Sequence, residues 1–286
     1  MVVIMDGKET AKLYKVAVKN RADILSREGV KPNLAIIHIG DDPASGFYLR
    51  NKERDCNNCG ISCKVVNLSN DVDEDDVIKE ISILNKDKTV HGILLILPLP
   101  KHINRLRVMS SIDPEKDVDG FHPYNIGRLS MGKGYLKPCT PMGIMELLDT
   151  YNIPLSGKHC VVIGRGDSVG KPLSMMLMKA NATVTVCHTK TKDISIHTKM
   201  ADIIISAAGV PNLITGDMVK YGAVVIDAGI ALHTDGKMHG DVDFDSVVDK
   251  ASYITPTPGG VGPMTNAMLM SNVVTSCESH IYDELF

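Results

Sequence analysis

The apolar positions of this chain fall into short runs separated by segments of helical period. The sharpest run is Gly92 to Pro100, GILLILPLP, where apolar residues extend from Ile93 to Leu97 and stop at Pro-Leu-Pro. A short continuous apolar run suits a strand buried on both faces of a parallel sheet. Proline ends it because it cannot donate to the ladder. Asn33 to Ile39 and Ser62 to Leu68 read as two more strands. Helical spacing fills the intervals. One helix runs over Asp6 to Arg27 with Gly29 as its C-cap. Another opens at Asp41-Asp42-Pro43-Ala44-Ser45, runs to about Asn58 and is ended by Gly60. A third covers Asp73 to Asn85, with acids in its first turn. This βαβαβ order predicts parallel strands with helices on the faces. Ligands of open α/β sheets bind beyond the carboxyl ends of the strands. The Ile96-Leu97-Pro98 end is therefore expected to border a site, and Ile96 offers that site no hydrogen bond.

The second half has the rhythm of a dinucleotide-binding domain. Lys158 to Ile163 reads as a strand, Gly164 to Gly170 as a glycine-rich turn and Lys171 to Ala180 as a helix. Further strands follow at Thr183 to Cys187, Ala201 to Ser206 and Ala223 to Asp227. Between the halves, Asp113 to Pro141 is rich in Gly and Pro and long for a loop, which marks a functional or bridging segment. Thr140-Pro141 is expected to cap a helix over Met142 to Tyr151. After Ile254, a Pro/Gly-rich loop leads into a Met-rich helix that is expected to return to the first domain.

Composition narrows the class. The chain has 286 residues, 44% hydrophobic and 23% charged, which is ordinary for a globular protein of two domains. A net charge of -3 does not point to nucleic acid or membrane partners. The N-terminus, MVVIMDGKETAK, reads as a strand leading into a helix and not as a signal peptide. Seven cysteines, an odd number, suit a reducing cytoplasm. Cys56, Cys59 and Cys63 have spacings that place them on one buried helix face, and no histidine completes a ligand set. No metal site is expected.

Two constellations carry chemistry. The turn Gly164-Arg-Gly-Asp-Ser-Val-Gly170 lies between a strand and a helix, where glycines let backbone approach a pyrophosphate and the helix end supplies positive potential. An NAD site usually places an acid at the end of the second strand. Here His188-Thr189-Lys190 stands instead, with no acid before Asp193, and Arg165 sits in the turn. A guanidinium and a hydroxyl suit a 2′-phosphate, so NADP is favoured over NAD. Lys190 reads as a solvated lysine and His188 as a hydrogen-bonded loop histidine. The second constellation is Tyr48 and Lys52, four apart on a predicted helix with Ser45 one turn earlier. A lysine beside a tyrosine can handle protons, although such a pair is also common on helix surfaces.

Seven ordered segments resemble the methylenetetrahydrofolate dehydrogenase/methenyltetrahydrofolate cyclohydrolase family. They are Tyr48-Leu-Arg-Asn-Lys52, Gly92 to Pro100, Asp117-Val-Asp-Gly120, Pro138-Cys-Thr-Pro141, Gly164-Arg-Gly, Cys187-His-Thr and Pro258-Gly-Gly-Val-Gly-Pro-Met-Thr265. The resemblance implies an α/β protein of two domains flanking a cleft. An αβα catalytic domain (1–141 plus 263–286) would bind tetrahydrofolate derivatives, and a Rossmann-type domain (142–262) would bind NADP. It also implies a homodimer. Lys52 corresponds to the catalytic lysine, Tyr48 to its folate-stacking neighbour, and Asp119 to the acid that hydrogen-bonds the pterin. Leu95, Ile96 and Leu97 with Pro258, Gly259, Gly260, Val261 and Gly262 correspond to lining of the folate pocket. Gly164, Arg165, Gly166 and Thr189 correspond to cofactor contacts, and Ile230 to a residue that touches the nicotinamide side through its backbone.

The chain departs from that pattern in three places. Gly166 and Thr189 stand where the family usually has serine. Ile96 stands where it has a glutamine hydrogen-bonded to the catalytic lysine. Oxidation of 5,10-methylenetetrahydrofolate by hydride transfer to NADP needs mainly orientation, and is expected to survive. Hydrolysis of the methenyl product to 10-formyltetrahydrofolate needs proton transfer, and is expected to be weak or absent. The alternatives are a fully bifunctional enzyme and a nucleotide-binding sensor without chemistry.

Overall fold

In the computed structural model, strand and helix alternate along the chain. Residues 1–40, 43–232 and 238–282 are described, without the side chains of 43–45, 47, 48 and 232. In chain order the elements are β1 (Val3–Ile4), α1 (Gly7–Arg27), β2 (Asn33–Ile39), α2 (Pro43–Asn58), β3 (Ser62–Leu68), α3 (Glu74–Lys86), β4 (Gly92–Leu95), α4 (Arg105–Met109), α5 (Pro123–Ser130) and α6 (Cys139–Thr150). There follow β5 (His159–Ile163), α7 (Gly170–Lys179), β6 (Thr183–Cys187), α8 (Ser195–Thr198), β7 (Ile203–Ser206), β8 (Val224–Asp227), β9 (Ala231–Leu232), β10 (Met238–His239), α9 (Phe244–Val247), β11 (Tyr253–Ile254) and α10 (Val261–Ile281). Asp41 and Asp42, expected to open the second helix, lie outside the described residues.

Two compact units form, one from Leu13–Lys137 and Asn266–Phe286, the other from Met1–Lys12 and Pro138–Thr265. The expected partition had placed the N-terminal residues with the first-half domain. Here β1 pairs in parallel with β11, Val3 opposite Tyr253 and Ile4 opposite Ile254. A two-residue strand carries too little pattern to name its partner in advance.

The first-half unit holds a parallel sheet of order β3-β2-β4. Ala35, Ile37 and Ile39 of β2 and Ile93 and Leu95 of β4 pack with Val77, Ile81 and Leu84 of α3. Alternation along a strand turns Leu34, Ile36 and His38 to the opposite face. Helix α2 covers that face, because the thiol of Cys56 near its end interacts with that of Cys63, which stands opposite Leu34. Cys63 lies on a strand, so the three cysteines do not share a helix face as expected. β4 is shorter than the apolar run, but Ile96 N still donates to Ile37 O at 2.9 Å. Its outer edge is occupied, since Ile93 bridges Asp117 in parallel and Ile93 N donates to Lys116 O at 2.7 Å.

The expected long loop 113–141 contains α5, opened by Pro123 and capped by His122, whose Nδ1 accepts from Tyr124 N. α6 starts at Cys139, so Thr140 and Pro141 lie in its first turn and do not precede it. Proline is tolerated there because first-turn amides have no intrahelical acceptor. The last part of α10 packs on the first-half unit as expected: Asn272 Nδ2 donates to Val118 O at 2.8 Å and Lys137 O at 2.9 Å.

The second unit carries a six-stranded sheet of order β1-β11-β8-β7-β5-β6, with every pairing parallel. From β5 the chain moves to β6 on one side and then crosses to β7 on the other. The switch point therefore lies at the carboxyl ends of β5 and β7. Val161, Ile163, Ile204, Val225 and Ile254 fill one face of this sheet. Among the described residues, no helix is long and apolar enough to cross a membrane, and no group of three His, Cys, Asp or Glu could hold a metal ion. None of the seven cysteines, all among the described residues, forms a disulfide.

Candidate functional site

The glycine-rich turn is built by close backbone approach. Gly164 has φ +111°, and a Cβ there would lie 2.3 Å from Ala207 O. A Cβ on Gly170 would lie 2.1 Å from Gly164 O. Both positions exclude any larger residue, and together they set the start of α7 against the end of β5. Gly166 differs, with nothing within 4 Å of its Cβ position. That open space over a helix start is the room a pyrophosphate requires, so the turn fits a dinucleotide. Ile163 stands opposite Cys187 in the β5–β6 register. Arg165 and Thr189 each come two residues beyond that pair, and both are exposed. His188 Nδ1 accepts from Lys190 N at 3.1 Å, and His188 N donates to Thr191 Oγ1 at 2.9 Å, which fixes the loop bearing Thr189.

Two buried carboxylates, missed in the sequence, shape the rest of the carboxyl edge. Asp241 is fully buried. Its Oδ2 accepts from Ser206 Oγ at 2.7 Å, Ala208 N at 2.6 Å and Gly209 N at 3.3 Å, and its Oδ1 from Val210 N at 2.8 Å. Asp227 ends β8; its Oδ1 accepts from Gly229 N and Asp241 N, both at 3.0 Å, and its Oδ2 from Val242 N at 3.1 Å. Burial raises the Asp227 pKa, against the effect of these backbone donors. A Cβ on Gly229 would overlap Asp241, and one on Gly240 would overlap Asp227. The clamp presents Ile230, 55% exposed, just beyond the strand. The signal was there to read: Asp227 ends an apolar strand two residues before Gly229, and Asp241 directly follows Gly240.

In the first-half unit, Lys52 lies on α2 one turn before Cys56, on the side facing the sheet. Its Nζ donates to Asn266 Oδ1 of α10 at 3.5 Å, a long contact. The Tyr48 backbone lies one turn earlier on α2, and its side chain lies outside the described residues. Ile96 is buried, 7% exposed, and continues the even-numbered face of β4, whose register with β2 sets it beside His38.

The other face of β4 holds a separate group. Leu95, Leu97 and Asp119 line a small cavity with Ile93, Met109, Ile112 and Asp117. Leu95 also belongs to the α3 core. Asp119 is held between buried anchors. Lys116 Nζ donates to Leu84 O, Asn85 O and Asp87 O at 3.1, 2.8 and 2.8 Å, closing the end of α3, and burial lowers its pKa. Asp117 accepts from Gly120 N, His122 N and Asn125 Nδ2, and burial raises its pKa. The backbone alternation of β4 thus separates Ile96 from Leu95, Leu97 and Asp119.

Pro258 to Gly262 belong to the second unit and lead into α10. Gly259 has φ +116°, and a Cβ on Gly260 would meet Pro256 O at 2.7 Å. Pro258 follows a cis peptide and is exposed, Val261 is buried as the first residue of α10, and Gly262 has open space at its Cβ position.

A glycine-cut turn at the switch point of an all-parallel sheet defines a dinucleotide-binding α/β protein. The chain belongs to the tetrahydrofolate dehydrogenase/cyclohydrolase family: residues 5–119 match its catalytic domain and residues 138–281 its NAD(P)-binding domain. It is 51% identical over 274 residues to the bifunctional protein FolD of Agathobacter rectalis, covering 96% of this chain and 98% of that one. It is 48% identical over 276 residues to the protein of the same name from Nautilia profundicola, covering 96% and 97%. Among solved structures, the bifunctional FolD methylenetetrahydrofolate dehydrogenase/cyclohydrolase of Campylobacter jejuni superposes with TM-score 0.96 at 47% identity, covering 98% of this chain and 99% of that one. The Trypanosoma brucei methylenetetrahydrofolate dehydrogenase-cyclohydrolase, solved with NADP and an inhibitor, gives TM-score 0.93 at 37% identity with 98% and 99% coverage.

Proposed function

We propose that this chain oxidises 5,10-methylenetetrahydrofolate with NADP and then hydrolyses the 5,10-methenyl product to 10-formyltetrahydrofolate. The reading is supported by Lys52 on α2, the helix over the Ile96 face, which donates to Asn266 of α10, in a chain about half identical to proteins named bifunctional. Those names favour two activities over the loss of hydrolysis expected from Ile96. NADP supplies a hydride acceptor when bound. The chain's own work is to hold its pyrophosphate at Gly164, Arg165 and Gly166, with Thr189 and the Arg165 guanidinium at the 2′-phosphate and the Ile230 backbone at the nicotinamide.

On the folate side, Tyr48 offers a stacking face and Asp119 accepts from the pterin edge. Ile96, with Leu95 and Leu97 through their backbone, is proposed as lining for the folate, and so, separately, are Pro258 to Gly262. Lys52 moves protons in the hydrolytic step. The chain is further proposed to act as a homodimer in the cytoplasm; seven cysteines with no disulfide among them suit a reducing compartment.

The test is absorbance of reduced nicotinamide after adding methylenetetrahydrofolate with NADP or NAD. A faster rate with NADP is expected. No signal with either cofactor would overturn the reading in favour of a sensor.

A further inference from the structure

His38 interrupts the apolar end of β2 and is 7% exposed. Its Nδ1 lies 3.3 Å from Asn67 Oδ1, and its Nε2 is buried with no hydrogen-bond partner. Buried polar atoms are normally paired, so an orphan calls for a reason. One other such atom is described, His91 Nδ1, and it lies just before β4 at the amino end of the sheet. His38 lies at the carboxyl end, where ligands bind.

The register places His38 closely. Asn67 stands opposite it on β3. On β4, Ile36 pairs with Leu94 and Ile37 with Leu95, and the Ile96 N to Ile37 O bond carries the ladder one step further. Asn67, His38 and Ile96 therefore form one row on one face of the sheet. Helix α2 runs back over this face in the β2–α2–β3 crossover, so moving from Cys56 towards its N-terminus moves towards the carboxyl edge. Cys56 sits at the Leu34–Cys63 row. Lys52 lies about 6 Å nearer the edge, over the rows where Asn67 and His38 offer polar atoms and Ile96 offers none, and its Nζ donates to Asn266 Oδ1 at 3.5 Å.

We infer, resting on the bifunctional reading above, that His38 is the proton-transfer partner of Lys52 in the hydrolytic step, in the place a polar side chain at 96 would fill. In that step, a water oxygen bonds to the bridge carbon of the methenyl cation and loses a proton. The bond from this carbon to N5 then breaks, its electron pair staying on N5, which gains a proton. The new hydroxyl loses its proton as the formyl C=O forms. Two protons leave oxygen, one reaches N5, and one goes to solvent. Lys52 needs a neighbour that both accepts and donates for this traffic, and an imidazole does both. His38 acts through Lys52 and is a positioning residue.

The test compares the full-length wild type, His38→Leu, and His38→Leu with Ile96→Gln. Loss of methenyltetrahydrofolate absorbance reads hydrolysis, and reduced nicotinamide reads oxidation. In His38→Leu, kcat for hydrolysis is expected to fall about 10²–10⁴-fold, with KM for the methenyl substrate little moved and the ratio of hydrolysis to oxidation falling in step. Adding Ile96→Gln is expected to restore most of the loss. His38→Met is measured in parallel in case the leucine variant does not fold, with the same result expected. Unchanged hydrolysis, an equal fall in both activities, or no recovery with glutamine at 96 would overturn the inference. A wild type that oxidises but does not hydrolyse overturns it while sparing the dehydrogenase reading; one that does neither overturns both.

Discussion

Gly164 backs directly onto Ala207: a Cβ on the first would sit 2.3 Å from the carbonyl oxygen of the second. The turn after β5 is thus seated on the turn after β7. Gly164→Ala must displace backbone and also adopt φ +111°, so it is expected to cost about 1–3 kcal/mol and to abolish NADP binding. Gly166→Ser faces open space and is expected to leave stability within about 0.5 kcal/mol. Thermal melting and NADP titration of the two variants check the contrast.

Arg165 is exposed in the turn, two residues past a registered strand pair, and Thr189 occupies the matching place beyond the end of β6. A charge-assisted hydrogen bond to a phosphate is worth about 1.5–3 kcal/mol. Arg165→Ala is therefore expected to raise KM for NADP roughly 10- to 100-fold while moving KM for NAD far less. Steady-state kinetics with both cofactors reads the difference.

Asp241 accepts four hydrogen bonds from the loop Ser206 to Val210. Asp241→Asn keeps the shape but turns a donor towards buried amides. It is expected to destabilise the protein by about 2–4 kcal/mol, seen as a lower urea midpoint. The same change should weaken NADP binding, because the clamp carries Gly229 and Ile230.

His91 is 4% exposed, and its pKa is lowered to about 4 by burial first, then by His280 and Lys116. The unfolded chain binds a proton near pH 6.5 that the folded one refuses until about pH 4. Stability therefore falls as pH drops through that window, by roughly 3 kcal/mol from this group. His91→Leu is expected to flatten that part of the stability curve. Urea unfolding at pH 7 and pH 4.5 for both proteins tests it.

Much of this was legible in the chain. The parallel strands of both units follow from short apolar runs between helical segments, and the phosphate turn from glycines placed between β5 and α7. What escaped was non-local. β1 is two residues long and finds β11 some 250 positions away, α5 hid in a Gly/Pro-rich stretch, and the roles of Asp227 and Asp241 depend on each other's loops. Ile96 stands out in the sequence as an apolar residue at a site, whereas His38, the one ionisable side chain in NLAIIHI, reads as strand interior. Register, which sequence spacing does not fix, is what joins the two.

The most direct measurement is the stoichiometry of a single reaction: wild-type protein, 5,10-methylenetetrahydrofolate and NADP, with reduced nicotinamide and 10-formyltetrahydrofolate both quantified over time. A bifunctional chain produces the two in step, with formyl product rising well above the uncatalysed background. Reduced nicotinamide with methenyl product accumulating at the uncatalysed rate of loss would contradict the account.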